Sequence, residues 1–317
     1  MKPEVMRDIL IGEIYKRMQG DDRIFFLSAD FGSPALDTLR RDFPERFINV
    51  GIAEQNLVSI ASGLGVEGFI VFAYAIAPFL TMRAFEQIRI SLAMMAQTRD
   101  VNVNLIGVGT GLSYDVTGPT HHCLEDIALM RLLPNMSVVS PADASFMSAI
   151  ASFAISDIKP CYIRLDGKAL PRVYSAESHV LFSDGFSQLR AGTKICLVST
   201  GYMTHVALQV ADVLYKKNCS IGVVDVFLLK NLNAQKLKSI LNDYEILLTL
   251  EEGFIARGGL DSLIASLTLS SKTPKSVYPL GFKDTYIFEV GDRNHLHEVA
   301  GLSVDKIVAH IEALKCN

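Results

Sequence analysis

Short apolar runs alternate with stretches of helical periodicity along almost the whole chain. No other feature constrains the fold as strongly. In the first half the runs are 24–27, 47–50, 69–74, 101–108, 137–140 and 161–165. Between them the apolar spacing predicts helices over 4–19, from about 53, over 78–95, 124–132 and 144–155. In the second half, strands are predicted at 195–199, 221–226, 245–250 and 276–280, with helices at 203–217, 234–241, 260–267 and 304–314. A continuous apolar run is what a strand buried on both faces requires. Strands alternating with helices predict parallel sheets covered on both sides. The fold class is therefore α/β, with two doubly wound domains and mostly parallel sheets.

A chain of 317 residues is long enough for two domains of ordinary size. Residues 166–190 lack strong periodicity and carry Pro171, Ser175, Ser178, Asp184 and Gly185. The expected division is 1–170, a linker at 171–190, and 191–317. Net charge is −4 with the signs mixed, and no basic block suggests nucleic acid or an anionic membrane. The most apolar run, 69–80, falls short of the about 20 residues a membrane helix needs, and it contains Pro78. The first residues are charged and helix-like, unlike a signal peptide. Five cysteines lie far apart with no CxxC spacing, as expected of reduced thiols in a cytoplasmic protein.

In parallel sheets of this kind, ligands sit beyond the carboxyl ends of strands. Asp30, Glu54 and the glycine-bearing loop 109–121 fall at such ends. Glu54 opens a helix, where the macrodipole favours an acid whether or not it has a further task. The loop carries His121 and His122 after Gly118-Pro119-Thr120. A histidine there suits proton exchange near neutral pH. A metal reading is weaker, because adjacent histidines rarely point the same way and no third ligand has metal spacing. Phe79 and Phe85 have the spacing of core aromatics, though one could offer its face to a flat ring. Arg83 and Arg89 are either solvated or paired with Glu86 or with an acid on another element. The glycines at 107–111 and 258–259 fit neither a dinucleotide fingerprint nor a P-loop.

Taken together, five strings in register resemble the C-terminal half of transketolase. They are Gly51-Ile52-Ala53-Glu54-Gln55-Asn56, Phe79-Leu80-Thr81-Met82-Arg83-Ala84-Phe85-Glu86-Gln87-Ile88, Gly118-Pro119-Thr120-His121-His122, Glu125-Asp126-Ile127-Ala128, and the stretch from Leu133-Pro134-Asn135 to Pro141-Ala142-Asp143. Ser199-Thr200-Gly201, Glu251-Glu252-Gly253 and Gly258-Gly259-Leu260 resemble the C-terminal domain of the same family. The likeness covers nearly the whole chain. It is greatest to the β-type subunit of split transketolases, with deoxyxylulose-phosphate synthase and 2-oxo acid dehydrogenase β subunits as relatives.

The resemblance implies a transferase subunit that moves a two-carbon ketol unit between sugars with thiamine diphosphate. It makes residues 1–170 the domain that holds the cofactor's aminopyrimidine. Glu54 then bonds the ring nitrogen opposite the amino group and favours the imino tautomer, the protein's contribution being orientation and tautomer control. Phe79 stacks on the ring. Asp30, Ile76 and Arg83 complete the set expected near the cofactor. His121 is expected to contact substrate oxygens. The family's diphosphate and metal half carries a GDG motif followed by Asn. Gly20-Asp21-Asp22 and Gly291-Asp292-Arg293 are the nearest strings here, and neither leads into that pattern. Thiamine diphosphate and Mg2+ are therefore expected to be held mainly by a separate N-terminal, α-type subunit, in a heterotetramer, with no metal ligand in this chain.

Several positions depart from the sugar-phosphate enzymes. Thr117 stands where they carry Asp, with Asp115 two residues off, and Gly109 stands where a substrate-facing histidine is usual. Gly167 replaces the arginine that grips a sugar phosphate, with Arg164 and Lys168 flanking it. Arg164, Lys168 and Asp115 are thus candidate substrate groups, and the acceptor is expected to be a non-standard sugar. The alternatives are a 2-oxo acid dehydrogenase β subunit or a non-catalytic scaffold. The Gly-Pro-Thr-His-His string favours the sugar enzyme.

Overall fold

The computed structural model describes residues 3–174, 181–269 and 275–315. The described residues of Met1–Thr110, Leu129–Val139 and Asp143–Ala176 form one compact unit, and those of Gly111–Ala128, Ser140–Ala142 and Glu177–Asn317 another. The 111–128 segment thus belongs to the second unit.

The first unit is built on β2 (Ile24–Ser28), β3 (Phe47–Asn49), β4 (Ile70–Ile76), β5 (Val103–Val108), β6 (Ser137–Val139) and β7 (Cys161–Leu165). They form one parallel sheet in the order β3-β2-β4-β5-β7-β6. Every residue of β5 and β7 is buried, as a sheet covered on both faces demands. The chain leaves β2 toward β3 on one side, then returns to place β4 on the other. The carboxyl ends of β2 and β4 therefore flank a switch point, where the two connections diverge and leave a crevice.

The second unit holds β9 (Phe186–Arg190), β10 (Ile195–Ser199), β11 (Gly222–Val226), β12 (Ile246–Phe254) and β13 (Ser276–Phe282), in the order β13-β12-β10-β11-β9. β9 is the one antiparallel member of this sheet. Its switch point lies between β10 and β12. Helix Met203–Lys216 packs its buried face, including Val206, Val210 and Leu214, into the core beside β10 and β11.

Both sheets match the expected α/β class, but several elements differ in detail. Residues 186–190, expected within the linker, form β9, whose alternating burial is that of an edge strand with one wet face. The expected linker also includes 175–180, which lie outside the described residues. The first helix starts at Met6, because β1 (Glu4–Val5) pairs with β8 (Ala169–Leu170) in a small antiparallel ribbon. Helices Pro34–Asp42 and Arg293–Ala300 lie beyond what the apolar spacing predicts. Each is short and announced mainly by its cap: Ser33 Oγ accepts from the Ala35 N–H, and Asp292 Oδ1 accepts from the His295 N–H. The helix expected over 78–95 is not continuous. It runs as a π turn at Phe79–Arg83, a short α turn at Phe85–Gln87, and a second π segment at Ile88–Met94. π turns of this kind concentrate at functional sites.

One close approach tests the packing of the first sheet. Gly107 in β5 lies against the fully buried ring of Tyr162 in β7, and a Cβ there would sit 2.7 Å from the ring. The Gly107→Ala variant is expected to lose about 1–3 kcal/mol of stability, the usual cost of overpacking. A urea titration followed by circular dichroism measures it.

Candidate functional site

Three side chains meet at the switch point of the first sheet. Glu54 is the first residue of helix Glu54–Val66, directly after β3, and is 3% exposed. Ala53 before it supplies no side-chain cap, so the carboxylate itself faces the positive end of the helix. Phe79 follows β4 and is half-buried in the first π turn. Arg83, at the end of that turn, reaches both. Its Nη1 donates to Glu54 Oε2 at 2.6 Å, and its guanidinium lies 4.8 Å from the centre of the Phe79 ring. Arg83 thus pairs with an acid on another element, while Glu86 pairs with Arg89. The Gln55 side chain donates to the Arg83 carbonyl and fixes the end of the turn.

A flat ring whose nitrogen shares a proton with Glu54 while its face rests on Phe79 is what an aminopyrimidine would be. Arg83 makes those two contacts in this chain, so the pair of residues fits such a ring by its own chemistry. Ile76, half-buried, ends β4 three residues before Phe79.

Asp30 lies just past the end of β2 in the left-handed region, φ +54°. A non-glycine residue held there marks a backbone constrained by its surroundings. The constraint is Asn49 at the end of β3. Its amide donates to Asp30 Oδ1 at 2.8 Å, and its Oδ1 accepts the N–H groups of Asp30 and Gly51. Asn49 therefore ties together the two turns that deliver Asp30 and Glu54. Sequence reasoning missed it, although an Asn two residues before a glycine is a known turn signal.

The remaining predicted groups are distributed between the units. Arg164 is buried in β7, opposite Gly107, in the first unit. Lys168 is exposed there, its backbone N–H bound to Asp166 Oδ1. Asp115 and His121 belong to the second unit. Asp115 is buried, and its two oxygens accept the backbone N–H groups of Val116 and Arg293. This carboxylate is thus an anchor of the loop, a role its expected place as a substrate group beside Thr117 did not suggest. His122 points inward, its Nε2 bonded to the Asp115 carbonyl at 3.1 Å, which requires the proton on Nε2. His121 is half-buried with its Nδ1 at 3.1 Å from Thr120 Oγ1. The two rings have separate partners, and among the described residues no group of three or more His, Cys, Asp and Glu could hold a metal ion.

The second switch point is also occupied, by residues the sequence did not single out for a role. Glu252 of β12 is fully buried and accepts from Arg293 Nε, Arg293 Nη2 and His297 Nε2. Burial opposes its charge, but the guanidinium of Arg293 and the imidazole of His297 hold its carboxyl well below the usual range. Arg293 also stacks on the ring of Tyr202, just past β10. The available signal was Glu251-Glu252 ending an apolar strand, since two adjacent buried acids require partners.

Two doubly wound domains, the first with a buried acid and an aromatic ring at its switch point, define a two-domain α/β protein built to bind ligands at strand ends. Comparison with known proteins then fixes the family. Residues 5–172 match the transketolase pyrimidine-binding domain, and residues 186–307 the transketolase C-terminal domain. The chain is 32% identical to one of the subunits of the apulose-4-phosphate transketolase of Actinobacillus succinogenes, over 84% of each protein. It is 29% identical to the 6-deoxy-6-sulfo-D-fructose transketolase subunit SqwH of a Clostridium species, over 96% of this chain and 92% of that one. A split-gene transketolase solved as an inactive β4 tetramer superposes with a TM-score of 0.84 at 33% identity, over 98% of both chains. The chain belongs to the transketolase family, with the architecture of the β-type subunit of its split members.

The Glu54–Arg83 pair is half open to water on the arginine side, 48% exposed. Replacing the acid strands only this solvent-reaching arginine and leaves no buried charge without a partner. Glu54→Gln is therefore expected to change the unfolding free energy by no more than about 1 kcal/mol. Differential scanning calorimetry checks it.

Proposed function

We propose that this chain is the C-terminal subunit of a split transketolase. With a separate α-type chain it transfers a two-carbon ketol unit between sugars. The observation that carries the reading is Glu54 beside Phe79 at the switch point, the two already bridged by a flat N–H donor in Arg83. Bound thiamine diphosphate would supply the carbon nucleophile that picks up the ketol unit. This chain's part is to present the aminopyrimidine. Glu54 holds a proton at the ring nitrogen, Phe79 supports the ring face, and Ile76 and Asp30 border the cofactor. Arg83 keeps the Glu54 carboxylate oriented. His121 meets the substrate's hydroxyl oxygens, and Arg164 and Lys168 are the cations of this chain assigned to an anionic substrate group. Asp115 serves by holding the loop rather than by touching sugar.

The absence of a GDG motif from the sequence supports a reading in which the α-type chain holds the diphosphate and Mg2+. The inactive all-β assembly of the split-gene relative supports the need for that second chain, in a heterotetramer. The relatives' names, apulose 4-phosphate and 6-deoxy-6-sulfofructose, support an acceptor or donor other than the usual straight-chain pentose phosphates, in line with Thr117, Gly109 and Gly167. Among the described residues no helix is long and apolar enough to cross a membrane, and a cytoplasmic enzyme is the setting we propose.

Titration calorimetry separates the parts of this reading. Thiamine diphosphate with magnesium should bind tightly only after the α-type chain is added, and tight binding to this chain alone would refute the split site. In the reconstituted complex, Glu54→Ala should lower turnover by at least about 100-fold, the scale of a lost proton-transfer group. Size-exclusion chromatography should show assembly unchanged. Full activity with xylulose 5-phosphate and ribose 5-phosphate would count against a non-standard sugar.

A further inference from the structure

The second switch point lies where doubly wound sheets usually admit a ligand, between the ends of β10 and β12. In this chain its own loop fills it. Gly111 and Cys123 exchange backbone hydrogen bonds of 3.0 and 2.9 Å and close residues 112–122 into a loop that carries His121. Two anchors hold that loop to the sheet end. At its start, the Leu112 N–H donates to Glu252 Oε2 at 3.3 Å. At its middle, Asp115 Oδ2 accepts the Arg293 N–H at 2.8 Å.

The two anchor residues are themselves one ion pair. Glu252 takes both Nε and Nη2 of Arg293, and His297 adds a third hydrogen bond to the same carboxylate at 2.7 Å. Arg293 is pinned from the other side by Tyr202, 3.4 Å from guanidinium carbon to ring centre. The pairing of β12 with β13 shifts register between Leu250 and Phe254, which re-aims this part of the strand. Gly111 has φ +58°, and a Cβ there would overlap the Glu252 carboxylate. The fit is therefore specific to glycine on the loop and glutamate on the strand.

We propose that Glu252 and Arg293 are positioning residues for His121: the buried pair sets the loop's conformation and thereby the histidine that meets substrate. A second-domain ligand site is replaced by a fixed loop. The pair acts only through the loop, so its removal should loosen residues 112–122 without disturbing β10 and β11. The assignment of a substrate contact to His121 rests on the transketolase reading; the loop-anchoring part does not.

Hydrogen–deuterium exchange with mass spectrometry on the full chain tests the anchoring part. In Glu252→Gln, amides of 111–123 should exchange about tenfold faster or more, with those of β10 and β11 unchanged. Unchanged exchange in the loop would overturn the proposal. Should Glu252→Gln unfold the second domain by stranding the Arg293 charge, two variants keep the question open to refutation. The double variant Glu252→Gln with Arg293→Gln removes both charges, and Gly111→Ala disturbs the contact from the loop side. Both should show faster exchange confined to 111–123, and exchange at the wild-type rate there would overturn the proposal. In the reconstituted enzyme, Glu252→Gln should raise KM for the acceptor more than it lowers kcat. It should also have little further effect when His121→Ala is present. Additive losses in the double variant would show that Glu252 acts elsewhere. A wild-type complex that transfers no ketol unit would sink the transketolase reading instead, leaving the exchange result standing.

Discussion

The structure depends on a constraint of parallel sheets: each strand must be reached by a crossover, and somewhere in the strand order the crossovers must turn back. In the first sheet that reversal separates the exits of β2 and β4. Asp30, Glu54 and Phe79 follow the ends of β2, β3 and β4 in turn. Their proximity comes from the topology, because residues spread along the chain from 30 to 79 start at the same edge of one sheet. The second sheet repeats the reversal between β10 and β12, and there the gap collects Tyr202, Glu252 and Arg293.

The two gaps are filled by the same chemical pair, carboxylate and guanidinium, with opposite physical consequences. At the first, Arg83 is half exposed and makes a single hydrogen bond to Glu54. Arg83 can therefore give up the acid to water, and the buried Glu54 then takes another donor in its place. At the second, Glu252 and Arg293 are both buried, doubly bonded, and joined by His297. Removing one member of a pair like that costs about 3–5 kcal/mol, because the other is left charged and dry. A group that must exchange partners belongs in the first setting. One that must keep a backbone conformation belongs in the second.

Strand periodicity made the sheets legible, because the central strands are buried on both faces and their runs are mostly apolar. The edge strand β9 was not legible, since its alternation looks like that of any polar connection. The helix over 78–95 was legible as helical but not as π, because side-chain periodicity is insensitive to one extra residue in a turn. At the site, Glu54, Phe79 and Arg83 could be named from strings, and the ion pair among them was one of the alternatives the residues allowed. Asn49 and Glu252 could not be named in the same way. Each acts through backbone N–H groups of distant segments, and backbone groups leave no trace in residue type. The anchoring by Asp115 was not legible for the same reason: its oxygens accept main-chain N–H groups.

The π turn at Phe79–Arg83 bears on how such chains diverge. In an α-helix each residue turns the axis by about 100°. A turn closed by i→i+5 bonds accommodates one residue more than the α-helical turn would. Losing a single residue between 79 and 83 would close it as an α turn and leave the segment beyond it in register, since the π turn is what absorbs the extra residue. Within the turn Arg83 would swing relative to Glu54, while the buried Ile88 and Leu92 would keep their side. A change of length here is therefore felt at the site and not along the rest of the segment. The number of residues between the aromatic ring and the arginine is thus part of the site's geometry, as much as which residues stand there.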